Sequence, residues 1–320
     1  MQGVKNQRKH RILSIFCKDW DTQRKEHDAS NHLTRFCRVN DLHLKDEGKE
    51  YRTLKLYGQE INLLTSAIAR MNMFMHGIEE FSIVRGDTLA NPAFLHNDEL
   101  KTFNVILANP PYSIKAWDQK GFANDPYGRN LWGVPPQGCA DYAFQQHIQK
   151  SLDVKNGRSI TLWPHGILFR DSEAEMRRKM IEEDLVECVI GLGPNLFYNS
   201  PMEACLLITS TNKSASRKGK ILIVNAVKEV KQEKNIAFLE DKHIDKIFKT
   251  YLNFKEDEGF CKVVSNEEVL GNRGSLNIAQ YVSNVDGTIK KVSIDEALTI
   301  WEESSSQLKK SMNELFQVLN

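Results

Sequence analysis

The chain has 320 residues, of which 41% are hydrophobic and 27% are charged, and its formal net charge is +1. This length accommodates one large α/β domain with additions, and the composition is ordinary for a globular protein. A net charge so close to zero excludes a uniformly basic surface, so any binding of nucleic acid requires a local patch or a partner. No apolar run is long enough to span a bilayer, and the N-terminus lacks the apolar core of a signal peptide.

The six cysteines are scattered and form no Cys-x-x-Cys pair. Two of them, Cys188 and Cys205, lie in apolar runs typical of strands, where a buried free thiol is the simplest interpretation. This usage favours a reducing, cytoplasmic setting over a disulfide framework. The cysteines and histidines before residue 50 do not have the spacing of compact zinc ligands, so no metal site is predicted.

Residues 1–50 are basic and contain few apolar side chains, which follow no sustained period. One interpretation is an arm that binds nucleic acid. The composition favours the alternative, a poorly ordered leader. The sequence therefore divides into this leader, a central domain over 51–228 and a polar C-terminal region over 229–320.

From residue 54 onward, short apolar runs alternate with helical patterns. The predicted strands cover 54–60, 81–84, 103–108, 159–163, 185–190, 204–209 and 221–224. The predicted helices cover 61–76, 141–151 and 173–182, the first from the spacing of Ile61, Leu64, Ile68, Met71 and Met75. Strands that alternate with helices form a parallel sheet with crossover connections, and the last two strands are expected to pair as a hairpin.

One strand stops abruptly at Asn109-Pro110-Pro111-Tyr112. Two successive prolines can neither donate to a sheet nor continue a helix, so the loop is stiff. It follows the carboxyl end of a strand, where open α/β sheets bind their ligands. The Asn109 side-chain carbonyl and the backbone carbonyls form an acceptor cluster suited to an amino group, and the Tyr112 ring could stack on a base.

Acidic residues follow two other predicted strands. Glu60 ends the first, where a carboxylate can accept both hydroxyls of a ribose, although an exposed strand-end acid is the alternative. Asp87 follows the next strand and could accept the amino group of an adenine ring, or serve only as a turn residue beside Gly86.

The motif at residues 109–112 resembles the catalytic motif of adenine-N6 DNA methyltransferases. Other segments resemble, in the same order, the modification (M) subunit of type I restriction-modification systems. These segments are 56–62, 69–73, 76–78, 86–89, 162–170 and 276–282. The resemblance runs from about residue 54 to the C-terminus.

This resemblance implies a class I S-adenosylmethionine-dependent methyltransferase sheet, Rossmann-like, as the catalytic domain. It implies that Glu60, Asp87 and Asn109 contact S-adenosylmethionine from neighbouring strand ends. The catalytic residues it implies are Asn109, Pro110, Pro111 and Tyr112, which hold an adenine amino group while methyl is transferred to N6.

The target base must leave the duplex, so stacking aromatics are expected. Tyr112 is the first of them. Phe197 or Tyr198 resembles the second stacking aromatic of the family, while packing in the core is the alternative for Phe197. His165 is interpreted as structural, and the Gly191-Leu192-Gly193 segment comes too late in the chain to be the cofactor loop.

A glycine-rich loop should follow the first strand of such a sheet, just upstream of residue 54. The only glycines before Gly58 are Gly3 and Gly48, and neither belongs to the expected pattern. The helical domain that precedes this loop in M subunits is also missing. We therefore expect an N-terminally truncated member whose sheet is incomplete at its N-terminal end.

The C-terminal stretch carries a heptad pattern interrupted at Ser305, with apolar residues at Ile294, Leu298, Trp301, Leu308, Met312, Leu315 and Leu319. The helix could pack on its own domain or pair with a partner. The resemblance implies the second: docking on a specificity (S) subunit, with a restriction (R) subunit in the full complex on DNA.

Three functions remain open at this point. The first is adenine-N6 methylation of DNA as a type I modification subunit. The second is a non-catalytic remnant that acts as an assembly scaffold for the S subunit. The third is an amino-methyltransferase acting on protein glutamine or RNA, against which the segments 163–166 and 276–278 argue.

Overall fold

The structure is a computed structural model that describes residues 11–16, 55–75, 77–78, 80–197, 202–233, 236–282 and 294–319. The chain forms two compact units, Met1–Val282 and Ser283–Asn320.

The first unit contains the strands, which are numbered here in chain order. They are β1 (Arg11–Phe16), β2 (Lys55–Glu60), β3 (Phe81–Arg85), β4 (Leu95–His96), β5 (Glu99–Leu100), β6 (Val105–Asn109), β7 (Arg158–Pro164), β8 (Val186–Leu192), β9 (Ala204–Ser210), β10 (Lys220–Ala226), β11 (Lys231–Glu233), β12 (Ile236–Phe238) and β13 (Cys261–Ser265). Most strands predicted from the sequence are thereby confirmed to within two residues at either end.

The helices of both units follow in chain order. They are α1 (Leu63–Met75), α2 (Gln119–Ala123), α3 (Asp141–Lys150), α4 (Ala174–Glu182), α5 (Asp241–Asn253), α6 (Asn266–Gly271), α7 (Ile278–Tyr281) and α8 (Ile294–Leu319). Two short 3-10 helices, His165–Leu168 and Asp171–Glu173, lie between β7 and α4. No helix among the described residues is both long and apolar enough to cross a membrane.

Within the described residues, nine strands form one sheet in the order β3-β2-β1-β6-β7-β9-β8-β10-β13. Seven of them run parallel, and β9 and β13 run antiparallel to their neighbours. The predicted α/β architecture is therefore confirmed. Apolar residues cover both faces: Trp163 and Val189 belong to one core cluster, and Leu162 and Ile190 belong to another. Because successive side chains of a strand point to opposite faces, the two clusters lie on opposite sides of the sheet.

The predicted boundary of the leader is wrong for Arg11–Phe16. This segment forms β1 in the middle of the sheet, where Ile12 pairs with both Leu56 of β2 and Val105 of β6. The sheet is thus not missing a strand at the position where it was expected to be incomplete. Six residues with three strongly β-forming side chains suffice for a strand inside a sheet, although basic neighbours hide them in the sequence. The remainder of the predicted leader lies outside the described residues.

The predicted hairpin of β9 and β10 is also wrong. β8 lies between these two strands, and β9 instead inserts antiparallel between β7 and β8. The consecutive strands that pair antiparallel are therefore β8 and β9, inside the sheet. Two apolar runs separated by a basic loop look alike whether they pair or not, so the order of neighbours was not readable from the sequence.

Helix α1 does not bury the residues whose spacing predicts it. Its buried residues are Thr65, Ser66, Ala69 and Met73. Ala69 and Met73 pack against Leu56 and Ile83 of the sheet. The predicting residues Ile61, Leu64, Met71 and Met75 are exposed instead.

The second unit contains α8, a helix of 26 residues. Its apolar residues Leu298, Trp301, Leu308 and Met312 are exposed. Their spacings of three, seven and four residues place them along one side of the helix.

Candidate active site

The carboxyl ends of the parallel strands meet at one edge of the sheet, and the predicted site residues lie there. Glu60 is the last residue of β2, Asn109 is the last residue of β6, and Asp87 follows β3 by two residues. The three strands were expected to be neighbours in the sheet, but β1 separates β2 from β6, and its residue Phe16 pairs with Asn109. The Glu60 and Asn109 strand ends are thus two strand spacings apart, or about 10 Å.

The loop after β6 presents its amide to solvent and holds it with a hydroxyl. Asn109 is exposed, whereas Pro110 is buried and Tyr112 is half-buried. The Tyr112 hydroxyl donates to Asn109 Oδ1 at 3.0 Å. The Tyr112 ring lies against Trp163, with the ring centroids 6.3 Å apart. Burial raises the pKa of Tyr112 above its usual range, and electrostatic repulsion from Cys205 and Asp141 on ionisation adds to this effect, so the hydroxyl keeps its proton.

A buried ionic network lies next to this loop, and sequence reasoning missed it. The Ser113 backbone N–H donates to Asp141 Oδ1 at 2.6 Å, and Asp141 is the first residue of α3. The Arg170 guanidinium contacts Asp141 Oδ2 at 2.5 Å and Glu173 Oε2 at 2.8 Å. Both carboxylates are fully buried. No local pattern announces the network, because its members are 28 or more residues apart from Ser113 in the chain.

Cys139 joins the same network by donating from Sγ to Glu173 Oε1 at 3.2 Å. The possible ligand atoms of Cys139, Asp141 and Glu173 all lie within 4.8 Å of one another. Arg170 already provides a positive charge to both carboxylates, so the cluster has the chemistry of an ion-pair network. Burial raises the pKa of Cys139 to about 12, which keeps the thiol protonated as a donor.

Glu60 is fully buried at the edge of the sheet. Its Oε1 accepts a hydrogen bond from the Asn62 N–H at 2.7 Å. Asn62 Oδ1 in turn accepts from Leu64 N and Thr65 N at the start of α1. The carboxylate is therefore held in place by the first turn of the helix that follows it.

Asp87 is a turn residue, as in the alternative interpretation of the sequence. Its exposed carboxylate uses one oxygen, Oδ1, to accept from Leu89 N at 2.8 Å and from Ala90 N at 3.1 Å. A turn residue can still bind a ligand with its other oxygen. The predicted contact with the cofactor therefore remains a prediction.

The same turn is tied to the long loop over residues 113–138. Arg129, which is 3% exposed, donates to the carbonyls of Thr88 and Leu89 at 2.9 and 2.8 Å. It also pairs with Asp125, with an Nη2–Oδ1 distance of 2.6 Å. The loop that follows the Asn-Pro-Pro-Tyr motif is thus anchored to the turn that carries Asp87.

Phe197 lies on the loop after β8, at the same edge of the sheet. It is half-buried and packs against the core cluster that includes Ile190, so the core-packing alternative is observed. Three strand spacings, about 14 Å, separate the end of β8 from the end of β6. The role of Phe197 in stacking stays a prediction, and Tyr198 lies outside the described residues.

Two further sequence features have structural partners. His165 Nε2 lies 3.0 Å from the Ala204 carbonyl oxygen. A Cβ atom at Gly193 would lie 2.5 Å from the Val227 carbonyl oxygen, so this glycine permits a close backbone contact. These contacts agree with the interpretation that neither feature belongs to the catalytic site.

Comparison with known proteins identifies the relatives of the chain. Residues 33–288 match the model of the N-6 DNA methylase family. The chain is 36% identical over 243 residues to the methylase subunit of the type I restriction enzyme MjaVIII from Methanocaldococcus jannaschii, covering 72% of this chain and 42% of that protein. The chain spans about half the length of the curated relatives it matches.

Solved structures show the same likeness. The methyltransferase subunit of a type I restriction-modification system from Streptococcus thermophilus superposes with a TM-score of 0.72 at 28% identity, covering 87% of this chain and 55% of that one. The M protein of the type I enzyme EcoKI gives a TM-score of 0.61 at 16% identity, covering 95% and 68%. At that identity the second likeness concerns the fold alone. The chain therefore has the predicted S-adenosylmethionine-dependent methyltransferase fold.

Proposed function

Because the chain belongs to the N-6 DNA methylase family, we propose that it acts as a type I modification subunit that transfers a methyl group to adenine N6 in DNA. The observation that carries this proposal is the exposed Asn109 amide at the carboxyl edge of the sheet, held by the Tyr112 hydroxyl. An exposed amide oxygen beside a stiff loop of backbone carbonyls suits an amino group as substrate.

The methyl donor that the proposal requires is S-adenosylmethionine, and the described residues fit it. Glu60 and Asp87 place carboxylates at the ends of two adjacent strands, one for ribose hydroxyls and one for an adenine amino group. Glu60 is held by Asn62, and Asp87 is held by its turn, so both are preorganised. When bound, the cofactor supplies an electrophilic methyl group on sulfur.

Asn109 and Pro110 would act on the target amino group by accepting its N–H bonds. The nitrogen lone pair of adenine N6 is delocalised into the ring and is a poor nucleophile. Acceptors placed around the N–H groups orient the nitrogen and stabilise the positive charge that develops there. The hydrogen bond from Tyr112 to Asn109 Oδ1 would restrict the rotation of the amide during this step.

The base must leave the duplex to reach this edge, and an aromatic surface offsets part of the lost stacking. Tyr112 presents a half-buried ring that Trp163 supports from within the core. Phe197, on the loop after β8 at the same edge, is the second proposed stacking residue.

The experiment that tests the proposal is methyl transfer to unmethylated DNA, with the chain assembled with a specificity subunit. Asn109→Ala should abolish transfer and leave assembly intact. The matched control is Asn212→Ala, an exposed asparagine beyond the carboxyl end of the antiparallel β9, and so at the opposite edge of the sheet. Methylation that survives Asn109→Ala would show that this loop is not the catalytic one.

A second function, assembly on an S subunit, is favoured by the exposed apolar side of α8. Leu298, Trp301, Leu308 and Met312 repeat at intervals typical of helix pairing. We propose that this side docks on a helix of the S subunit, which reads the DNA sequence, and that the R subunit joins the complete complex.

Leu308→Asp tests the docking, because a charge inside a helix pair is costly. Co-purification with an S subunit should be lost. The control is Gln307→Asp, which places the same charge one residue away on another side of the helix. Co-purification that is equal for both variants would contradict docking through this side.

A further inference from the structure

The loop of the Asn-Pro-Pro-Tyr motif has few backbone donors with which to hold its shape. Pro110 and Pro111 have no N–H, so they cannot form the hydrogen bonds that fix most loops. Downstream of them, Ser113 donates its N–H to Asp141 Oδ1 at 2.6 Å. This bond anchors the loop directly after Tyr112.

The backbone at Ser113 also requires support. Its φ is 51°, in the left-handed region that non-glycine residues rarely adopt. Such a conformation persists only where the surroundings fix it. The bond to Asp141 and the Arg170 Nη1 contact with Ser113 Oγ, at 3.4 Å, provide this support.

Arg170 fixes Asp141 in turn. Asp141 uses one oxygen for Ser113 and the other for Arg170. Arg170 is itself held by Glu173 through Nε at 2.8 Å, and its carbonyl accepts from Arg177 Nη1 at 3.1 Å. A planar guanidinium can contact two carboxylates at once, which a lysine cannot do in the same geometry.

We propose that Asp141 and Arg170 are positioning residues for methyl transfer, which set the Tyr112–Asn109 pair through Ser113. This inference rests on the proposed function of the loop. Neither residue touches the reacting groups. Their effect passes through Ser113, the residue next to the stacking tyrosine: Asp141 accepts its backbone N–H, and Arg170 donates to its Oγ.

The proposal predicts a separation between catalysis and cofactor binding. Arg170→Lys keeps the positive charge but loses the planar guanidinium that contacts Asp141 and Glu173 at the same time. We expect kcat to fall by about 100-fold, since displacement of reacting groups by about 1 Å has this effect. The affinity for S-adenosylmethionine should change much less than kcat, because Glu60 and Asp87 lie on other strands and only the contact expected of Asn109 lies on this loop.

A second measurement reads the loop itself, without activity. Hydrogen exchange of the Ser113 amide in the full chain should accelerate by about tenfold in Arg170→Lys, as the charged acceptor loses its fixed position. The matched control is Arg217→Lys, because Arg217 also pairs with a buried carboxylate, Glu187, at 2.9 Å. This pair lies at the start of β8 and β10, at the opposite edge, so the control should change neither kcat nor exchange at Ser113.

The outcomes separate the two proposals. Wild-type kcat in Arg170→Lys, or unchanged exchange at Ser113, overturns the positioning role. If the wild-type chain transfers no methyl group, the proposed function fails, and exchange at Ser113 alone decides whether the network orders the loop. If Arg170→Lys does not fold, Asp141→Asn replaces it, because the amide oxygen can still accept from Ser113 while the NH2 group takes the place of the oxygen that binds Arg170.

Discussion

The ion pair of Arg129 with Asp125 offers the sharpest test of how the site is held together. The Arg129 side chain is 3% exposed and that of Asp125 is 1% exposed, with 2.6 Å between the charged atoms. Burial raises the pKa of Asp125, but hydrogen bonds from Arg129 and its charge outweigh this, and the pKa lies below its usual range. At neutral pH the pair is therefore fully charged inside the protein.

The structure sets the size of the expected effect. Arg129→Met leaves Asp125 as a buried charge without its partner, which costs about 3–5 kcal/mol. The carbonyls of Thr88 and Leu89 also lose a donor, which adds about 1 kcal/mol or more. Asp125→Asn combined with Arg129→Met removes the unpaired charge, so the double variant should recover about 2–3 kcal/mol of this loss.

The assay is urea unfolding of all four members of this double-mutant cycle at pH 7, together with calorimetric binding of S-adenosylmethionine. Binding should weaken in the folded Arg129→Met variant, because the turn that holds Asp87 loses its anchor. The reasoning would be refuted if the loss of unfolding free energy in the double variant equalled the sum of the losses in the two single variants to within about 0.5 kcal/mol. Such additivity would show that the two residues do not interact.

Three further predictions follow from single residues. Burial, and then the charge of Arg129, lower the pKa of His147 to about 3. Between about pH 6.5 and 5 only the unfolded state therefore binds a proton at this residue. Over this range the free energy of unfolding of the wild type, measured with urea, should fall by about 2 kcal/mol more than that of His147→Gln. Gly193→Ala should destabilise by about 1–3 kcal/mol in the same assay, because its Cβ meets the Val227 backbone. Glu60→Gln should weaken S-adenosylmethionine binding by about tenfold in calorimetry, while the control Glu99→Gln, at an exposed residue of β5, should not. The first prediction would be contradicted by an equal pH dependence of stability in the wild type and His147→Gln. The second would be contradicted by unchanged stability of Gly193→Ala, and the third by unchanged affinity of Glu60→Gln.

The sequence predicts the part of the site that lies directly on strand ends. A short apolar run followed by prolines marks the end of β6, and this alone places Asn109 at the carboxyl edge of the sheet, where open α/β sheets generally bind ligands. The same logic locates Glu60 and Asp87. These predictions depend only on the direction of a strand, which the chain order of strands and helices already determines.

The interactions that hold those residues could not be predicted in this way. Arg170 reaches Asp141 across 29 residues, and Arg129 reaches Thr88 across 41. Such contacts depend on which loops become neighbours in the folded sheet. The exposed apolar residues of α1 show the same limit: their period predicts a helix correctly, but the residues that pack on the sheet are Ala69 and Met73.

The position of β1 leads to a last expectation about the cofactor. The chain leaves β1 at Phe16, level with Asn109 and between the ends of β2 and β6. A glycine-rich loop after the first strand cradles the methionine end of the cofactor in the resembling family, yet no glycine occurs between Gly3 and Gly48. The affinity should then come from the adenosine half, through Glu60 and Asp87. Calorimetry with adenosine and with S-adenosylmethionine should give dissociation constants within about threefold, a difference of less than 1 kcal/mol. A much lower dissociation constant for S-adenosylmethionine than for adenosine would mean that other side chains bind its methionine end.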